Sequence, residues 1–591
     1  MTSIINGNKI FYLTIAAMVS IVLFFSSGCT PIEEESPEDE PQVRVDDWDT
    51  RPEPEPKPAP VPAPRPAPMP EAAPAPSIKI AQAPAPTPPS VAENIGLAAG
   101  GAKDINNFRE NIRNDYLPLP TDVTYEGLFY DYYFDTGQRE ECHKLFCPSY
   151  SYAITRDPFS GEAEYYLSVG LNSGMKESDF QRKKLNLVIV LDVSGSMKNP
   201  FNTYYYDQFG KEVRLTGEEA RKDKIEVATE SVVALLDHLN DDDYFGMVLF
   251  NNNARLAKPL NRVGNTDMVA IKNHILEISA GGGTNLDAGM RMATDMYDEL
   301  TDVDPSECEN RIIFLTDAMP NLGDTSEGGL LGMTRRNADN KLYATFIGIG
   351  VDFNTELIEY ITKIRGANYY SVHSAEQFKE RMDDEFEYMV TPLVFNLQLT
   401  LEADRWEIEK VYGSPEANEA TGELMKVNTL FPSKKEGAET RGGLILLKLE
   451  KTSAGGELIL KASYEDRNGN EDSSEATVEL EDETPEYFKN SGIRKGVLLS
   501  RYADLLKNWM IDEREHAHIS HPWEPKVDDW VGIPVPPVTL GRWERQSLPL
   551  MVSGPYRELF QEFRKYFEQE KDTLQDDTLG QELEILDKLI K

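Results

Sequence analysis

Between residues 181 and 390, apolar runs of strand length alternate with segments of helical periodicity, and this alternation restricts the possible folds most. Residues 185–191 form an apolar run interrupted only by Asn186, which is typical of a parallel strand covered on both faces. Further strands are predicted at 244–250, 311–315, 343–349 and 369–372, and helices at 224–239, 268–278, 286–300, 355–364 and 376–389. We therefore predict an α/β fold with an open, doubly wound, mostly parallel sheet, in which ligands bind beyond the carboxyl ends of the strands.

Polar side chains occur where two of these strands end and in one glycine-rich turn. They are Asp192, Ser194 and Ser196 after the first strand, Thr284 in the turn at 281–285, and Asp317 after the strand at 311–315. A hard divalent cation prefers oxygen ligands, and Mg²⁺ keeps near-octahedral geometry and some bound water. Hydroxyl ligands are neutral, so a cation held here would keep positive character and could accept a carboxylate from a partner.

The same five residues, Asp192, Ser194, Ser196, Thr284 and Asp317, resemble the metal-ion-dependent adhesion site of von Willebrand factor A (VWA) domains. The resemblance implies that they bind a divalent cation, either Mg²⁺ or, as alternatives, Ca²⁺ or Mn²⁺. Ala318 stands where many members of the family have glycine, and we expect it to change the loop more than the ligand set. The simpler alternatives are helix capping by the serines and a turn role for Asp317.

The resemblance extends to residues 108–389. This region, including the segments 116–120 and 320–326, is similar to a group of bacterial VWA-domain lipoproteins. In that group a small domain precedes the VWA domain and a β/α domain follows it, so the resemblance implies three folded parts.

The N-terminal residues are predicted to be a targeting segment. Lys9 precedes an apolar run at 10–25, and small residues at 26–28 lead to Cys29. This resembles the lipobox of bacterial lipoproteins, although Ser26 stands where leucine is usual, and it implies that Cys29 is lipidated. An uncleaved anchor or a plain signal peptide is the alternative. We expect a location in a bacterial cell envelope, outside the cytoplasm, at the outer membrane or the cell surface.

The composition divides the rest of the chain. We predict a signal peptide at 1–28, a lipid-anchored, acidic and proline-rich disordered tether at 29–97, a small N-terminal domain at 98–180, a VWA domain at 181–390, a β-rich, sandwich-like domain at 391–484 and a helical C-terminal region at 485–591.

Two further groups of side chains are candidate sites. Cys142 and Cys147 can close a small disulfide loop in an oxidising compartment, and a zinc half-site is the alternative. His516, His518 and His521 form a weak second metal candidate, for which a polar helix end is the simpler explanation.

An aromatic insertion follows the loop that contains Asp192, Ser194 and Ser196. It could form the rim of a ligand site, or its rings could pack against the domain itself. Its aromatic residues are Tyr204, Tyr205, Tyr206 and Phe209.

The formal charge of −41 argues against nucleic acid and anionic lipid surfaces as partners, which leaves the lipid anchor as the contact with a membrane. Neither a Gly-x-Ser-x-Gly turn nor a P-loop lysine motif occurs in the sequence. We therefore predict a non-enzymatic adhesion or assembly protein, whose ligand is a protein with an acidic side chain. The alternatives are a metal-assisted hydrolase and a structural spacer with a stabilising metal.

Overall fold

The structure, a computed structural model, describes most of the chain after residue 93 and one short segment before it. The described residues are 44–49, 94–103, 105–200, 203–204, 213–214, 222–298, 300, 307–317, 327–350, 360, 363–372, 385–402, 406–415, 424–452, 458–478, 486–520 and 548–591. No helix in these ranges is long and apolar enough to cross a membrane.

The strands and helices of the described residues are numbered here in chain order. The strands are β1 (Asn94–Ala99), β2 (Gly101–Ala102), β3 (Tyr133–Asp135), β4 (Ser149–Arg156), β5 (Ala163–Gly170), β6 (Asn172–Lys176), β7 (Lys184–Asp192), β8 (Thr203–Tyr204), β9 (Val213–Arg214), β10 (Tyr244–Phe250), β11 (Ala254–Arg262), β12 (Cys308–Thr316), β13 (Leu342–Ile349), β14 (Asn368–Val372), β15 (Val394–Glu402), β16 (Trp406–Tyr412), β17 (Leu424–Ser433), β18 (Lys435–Glu436), β19 (Glu439–Arg441), β20 (Leu444–Lys451), β21 (Leu458–Asp466), β22 (Glu471–Val478) and β23 (Tyr487–Phe488). The α-helices are α1 (Asn106–Arg113), α2 (Tyr125–Tyr130), α3 (Lys224–Leu235), α4 (Met268–Leu276), α5 (Leu286–Tyr297), α6 (Gly332–Asp339), α7 (Phe386–Val390), α8 (Ser491–Ser520), α9 (Gly554–Leu574) and α10 (Gly580–Ile590).

The central part of the chain folds around a seven-stranded sheet with the order β11-β10-β7-β12-β13-β14-β2. All neighbouring pairs are parallel except β10 and β11. One face packs against α3 and α4 and the other against α5 and α6, and apolar residues of β7 alternate between the two cores. The predicted doubly wound, mostly parallel α/β sheet is therefore confirmed, and the apolar run from Leu187 to Leu191 in β7 reflects burial on both faces.

Two further sheets join strands from distant parts of the chain. One has the order β22-β21-β15-β17-β1-β6 and the other β16-β20-β5-β4-β23. Each combines strands from residues 94–176 with strands from beyond residue 393. The predicted separation into an N-terminal domain at 98–180 and a β-rich domain at 391–484 is therefore wrong. The two segments form one composite domain with a shared core, and the VWA-like sheet is inserted between them.

The C-terminal region is helical as expected, and it belongs to the composite domain. Apolar residues of α8, α9 and α10 lie in the same core as residues of β5, β15 and β20. The Arg109 guanidinium of α1 forms a fully buried ion pair with Glu582 of α10. Helices α1 and α10 are therefore joined by a shared apolar core and by this buried ion pair.

The tether prediction at 29–97 is wrong at two places. Strand β1 begins at Asn94 and is buried throughout, and residues 44–49 contact the seven-stranded sheet. The signal peptide at 1–28, Cys29 and the rest of the predicted tether lie outside the described residues. Most of the helix predicted at 355–364 and the first part of the one at 376–389 also lie outside them.

Candidate metal site

The two candidate carboxylates meet at one edge of the seven-stranded sheet. Asp192 ends β7 and Asp317 follows β12 directly. These strands are parallel neighbours with Leu191 opposite Leu315, so their carboxyl ends lie side by side. Asp192 and Asp317 are both fully buried. The sheet therefore places two acidic side chains together in a region from which water is largely excluded.

The serine hydroxyls connect the two loops. The Oγ atoms of Ser194 and Ser196 are 2.8 Å apart, and the Ser196 hydroxyl donates to Asp317 Oδ1 at 3.0 Å. Asp192 contacts both loops. Its Oδ1 accepts from the Ser194 backbone N–H at 2.8 Å, and its Oδ2 accepts from the Thr316 hydroxyl at 2.7 Å. The structure thus brings four of the five predicted ligands into one hydrogen-bonded cluster.

The glycine-rich turn closes the site from a third side. The Gly195 N–H donates to the Gly282 carbonyl at 2.8 Å, and the Gly281 N–H donates to the Val193 carbonyl at 2.7 Å. Gly282 has a φ of 98°, and a Cβ there would lie 3.3 Å from Asn251, so only glycine fits without strain. Thr284, the fifth predicted ligand, is buried in this turn.

Lys224 is a member of the site that the sequence analysis missed. Its Nζ lies 3.3 Å from Asp317 Oδ2, and both side chains are fully buried. Lys224 is the first residue of α3, where a positive charge is unfavourable because of the helix dipole. A lysine at this position, beside the apolar face of a helix, was the available signal that a buried anion was near.

The electrostatics favour a cation. Burial and, second, the charge of Asp317 raise the pKa of Asp192 above its usual range. A positive charge close to both carboxylates would favour their ionised forms and so offset the shift caused by burial and by like charge.

The spacing of the oxygen atoms suits a small divalent ion. Octahedral coordination at 2.0–2.1 Å places neighbouring ligand oxygens about 3 Å apart. The Ser194–Ser196 and Ser196–Asp317 oxygen pairs, at 2.8 and 3.0 Å, have this separation. No group of three or more His, Cys, Asp or Glu side chains suited to a metal occurs within the described residues. The donor set is instead two carboxylates with hydroxyls, which are oxygen ligands of the kind that a hard divalent cation prefers.

The other predicted site residues are separate from this cluster. Cys142 and Cys147 are joined in a disulfide. His516 is exposed on α8, and its Nδ1 contacts the Asp512 carbonyl at 2.6 Å. The side chain of His518, and His521 as a whole, lie outside what the structure describes, as do the side chain of Tyr204 and all of Tyr205, Tyr206 and Phe209.

Comparison with known proteins agrees with the fold. Residues 187–319 match the family model described as von Willebrand factor type A domain. Among curated proteins, the inter-alpha-trypsin inhibitor heavy chain H4 of Bos taurus is 24% identical over 212 residues, which are 35% of this chain and 21% of that one. Heavy chain H2 of Sus scrofa is 23% identical over 251 residues, which are 42% of this chain and 24% of that one. The matches therefore span less than a quarter of these relatives.

Solved structures give similar matches. A von Willebrand factor type A structure from Catenulispora acidiphila has 17% identity and a TM-score of 0.40, and it covers 63% of this chain and 82% of its own. The ArnB paralog VWA2 from Sulfolobus acidocaldarius has 14% identity and a TM-score of 0.35, with 75% and 97% covered. Together with the sheet order, the family match establishes that the chain contains a VWA domain.

Proposed function

We propose that this chain is a lipid-anchored protein of a bacterial cell envelope, whose VWA domain binds an acidic side chain of a protein partner through a divalent cation. The observation that carries the proposal is the oxygen cluster of Ser194, Ser196 and Asp317, with neighbouring oxygens 2.8 and 3.0 Å apart, in a loop that the buried Asp192 holds through the Ser194 N–H. Thr284 on the adjoining turn would complete the ligand set. Cys29 is the proposed site of lipidation.

The proposed cation supplies one thing, a positive charge that a partner carboxylate can approach. The protein side chains position the ligands of this cation. Asp192 positions the first loop through the Ser194 N–H. Lys224 donates to Asp317 Oδ2, while Asp317 Oδ1 accepts from the Ser196 hydroxyl. Neutral hydroxyls leave the bound ion undercompensated, which favours an anionic partner over a neutral one.

A non-catalytic role agrees with the relatives, which are named as heavy chains of an inhibitor. The hydrolase alternative needs a base that takes a proton from a metal-bound water. Lys224 is fully buried and paired with Asp317, so it is unsuited to that task. The spacer alternative predicts a metal that stabilises the fold without any partner.

Cation binding is tested first, by titration calorimetry of the full chain with Mg²⁺, Mn²⁺ and Ca²⁺. The double variant Ser194→Ala/Ser196→Ala should lose affinity by at least the roughly 10–100-fold that follows from removing groups that only support a metal's ligands. Ser168→Ala is the matched control, because Ser168 is a buried serine on β5 in the other domain. Equal affinity of the double variant and the control would refute the metal site.

Partner binding is tested by pull-down from intact envelopes with and without EDTA. Proteins retained by the wild type should be lost in EDTA and in the double serine variant, and kept by Ser168→Ala. A set of partners that persists in all conditions contradicts metal-dependent binding, whereas metal binding without any partner favours the spacer.

A further inference from the structure

Residues 44–49 lie along the edge of the VWA domain as a short extended segment. After Asp49, the next residue that the structure describes is Asn94, so residues 50–93 connect the segment to β1. The Val45 N–H donates to the Asn265 carbonyl at 2.9 Å, and the Asp267 N–H donates back to the Val45 carbonyl at 2.9 Å. The Asp49 N–H donates to the Ala257 carbonyl at 2.8 Å. The backbone is therefore paired at both ends of the segment.

The surface beneath the segment contains an edge strand. Strand β11 lies at one edge of the seven-stranded sheet, and its only neighbour among the described strands of that sheet is β10. The outer side of an edge strand presents backbone groups that attract another extended chain. The bond from Asp49 to Ala257 satisfies one of these groups.

The side chains of the segment meet complementary groups. The Asp47 carboxylate accepts from Lys258 Nζ at 3.0 Å and from Asn261 Nδ2 at 2.6 Å. With the segment in place Lys258 is fully buried. Its Nζ also donates to the Phe245 and Pro259 carbonyls, at 2.9 and 3.1 Å, and Asp47 supplies the anion that a buried ammonium requires. The surface is thus built with a buried positive charge whose carboxylate partner comes from residues 44–49.

An aromatic contact adds to the acidic one. The Trp48 ring stacks on the His274 ring of α4, with centroids 5.5 Å apart and an angle of 15° between the planes. Asp46 Oδ2 lies 2.9 Å from His274 Nε2, so the same imidazole meets both an acidic and an aromatic side chain. By contrast, the ion pair of Arg44 with Asp241 is exposed and should contribute little.

We propose that the face formed by β11, the turn at 263–267 and α4 is a binding site for a short acidic peptide that contains tryptophan, and that residues 44–49 of the same chain are the peptide that occupies it. None of the contacts described above involves a metal-site residue, so this face and the metal cluster can be tested separately. Since the peptide is covalently attached, a set of contacts with modest intrinsic affinity is enough to keep it docked.

The first test is hydrogen–deuterium exchange of the full chain in EDTA, where the metal site cannot contribute. The amides of Val45 and Asp49 should exchange at least about tenfold more slowly than in the isolated peptide. Trp48→Ala should abolish this protection, whereas Arg44→Ala should leave it unchanged. Exchange at the free-peptide rate in the wild type, or protection that survives Trp48→Ala, would overturn the proposal.

The second test asks whether the vacated face binds the peptide in trans. A fluorescent peptide of residues 43–50 should bind the full-length Trp48→Ala chain at least about tenfold more tightly than the wild type, whose site is occupied. The double variant Trp48→Ala/His274→Ala should not bind it. Equal binding by all three chains, or none by Trp48→Ala, would show that the face is not a peptide site.

Discussion

Lys224→Met should destabilise the metal-free protein and make its stability strongly dependent on divalent cations. Lys224 Nζ and Asp317 Oδ2 are 3.3 Å apart in a fully buried pair. At this separation two unit charges attract by about 5 kcal/mol with an effective dielectric constant of about 20. Removing one partner of a buried ion pair costs about 3–5 kcal/mol. Methionine retains most of the side-chain volume, so the change is mainly a loss of charge.

A divalent cation should reverse this effect. Without Lys224, Asp317 has lost its counter-charge beside Asp192, and a bound cation would supply one. A ligand that binds only the folded state contributes about 4 kcal/mol at a thousand times its dissociation constant. This is close to the expected loss, so saturating Mg²⁺ should restore most of the wild-type free energy of unfolding.

Urea unfolding in EDTA and at increasing Mg²⁺ measures both effects. Lys222→Met is the control, because Lys222 lies two residues away and its pair with Glu230 is exposed. The reasoning is refuted if Lys224→Met is as stable as Lys222→Met in EDTA, or if Mg²⁺ stabilises Lys224→Met no more than the wild type.

Further predictions concern the pH dependence of stability, the glycine-rich turn at 281–285 and two ion pairs of α10. Burial raises the pKa of Glu309 from 4.5 to about 7, so the folded state holds this proton more tightly, and the resulting stability is complete below pH 4.5 and lost as the pH rises through 7. Glu309→Gln should remove this decline, which amounts to about 3 kcal/mol in the free energy of unfolding. Urea unfolding between about pH 4 and about pH 8 measures it. Gly282→Ala should weaken Mg²⁺ binding in calorimetry, whereas Gly437→Ala, also at positive φ but in open space, should cost only stability, about 1–2 kcal/mol. Glu582→Gln should cost about 3–5 kcal/mol in urea unfolding because it breaks a buried ion pair, and unchanged stability would contradict this; Lys588→Ala, whose ion pair is more exposed, should cost less than about 1 kcal/mol.

The parts of the fold that the sequence predicted are those in which pattern and burial agree. Strand β7 is apolar from Leu187 to Leu191 because both of its faces are covered, and its end at Asp192 is therefore visible in the sequence. Strand β11 was missed. It lies at the edge of the sheet and is only partly buried, and it contains Pro259 and several charged residues, which are tolerated at an edge.

The composite domain was not predictable from local patterns. Strand β1 pairs with β17, more than 300 residues later in the chain, and nothing in either strand identifies its partner. Alternating burial shows only that a strand has an inner face. The division into two domains followed chain order, whereas the sheets join the segments on either side of an inserted domain.

The charges of the site are compatible with the acidic partner proposed for this acidic chain. Asp192, Asp317 and Lys224 together carry a formal charge of about −1, and a divalent cation would change this to about +1. Without Lys224 the loaded site would be close to neutral. Lys224→Met should therefore bind Mg²⁺ more tightly and an acidic partner less tightly, whereas loss of a metal ligand weakens both. Calorimetry for the ion and pull-down for the partner separate the two cases, and a parallel change in both affinities would show that Lys224 acts only by supporting the ligands.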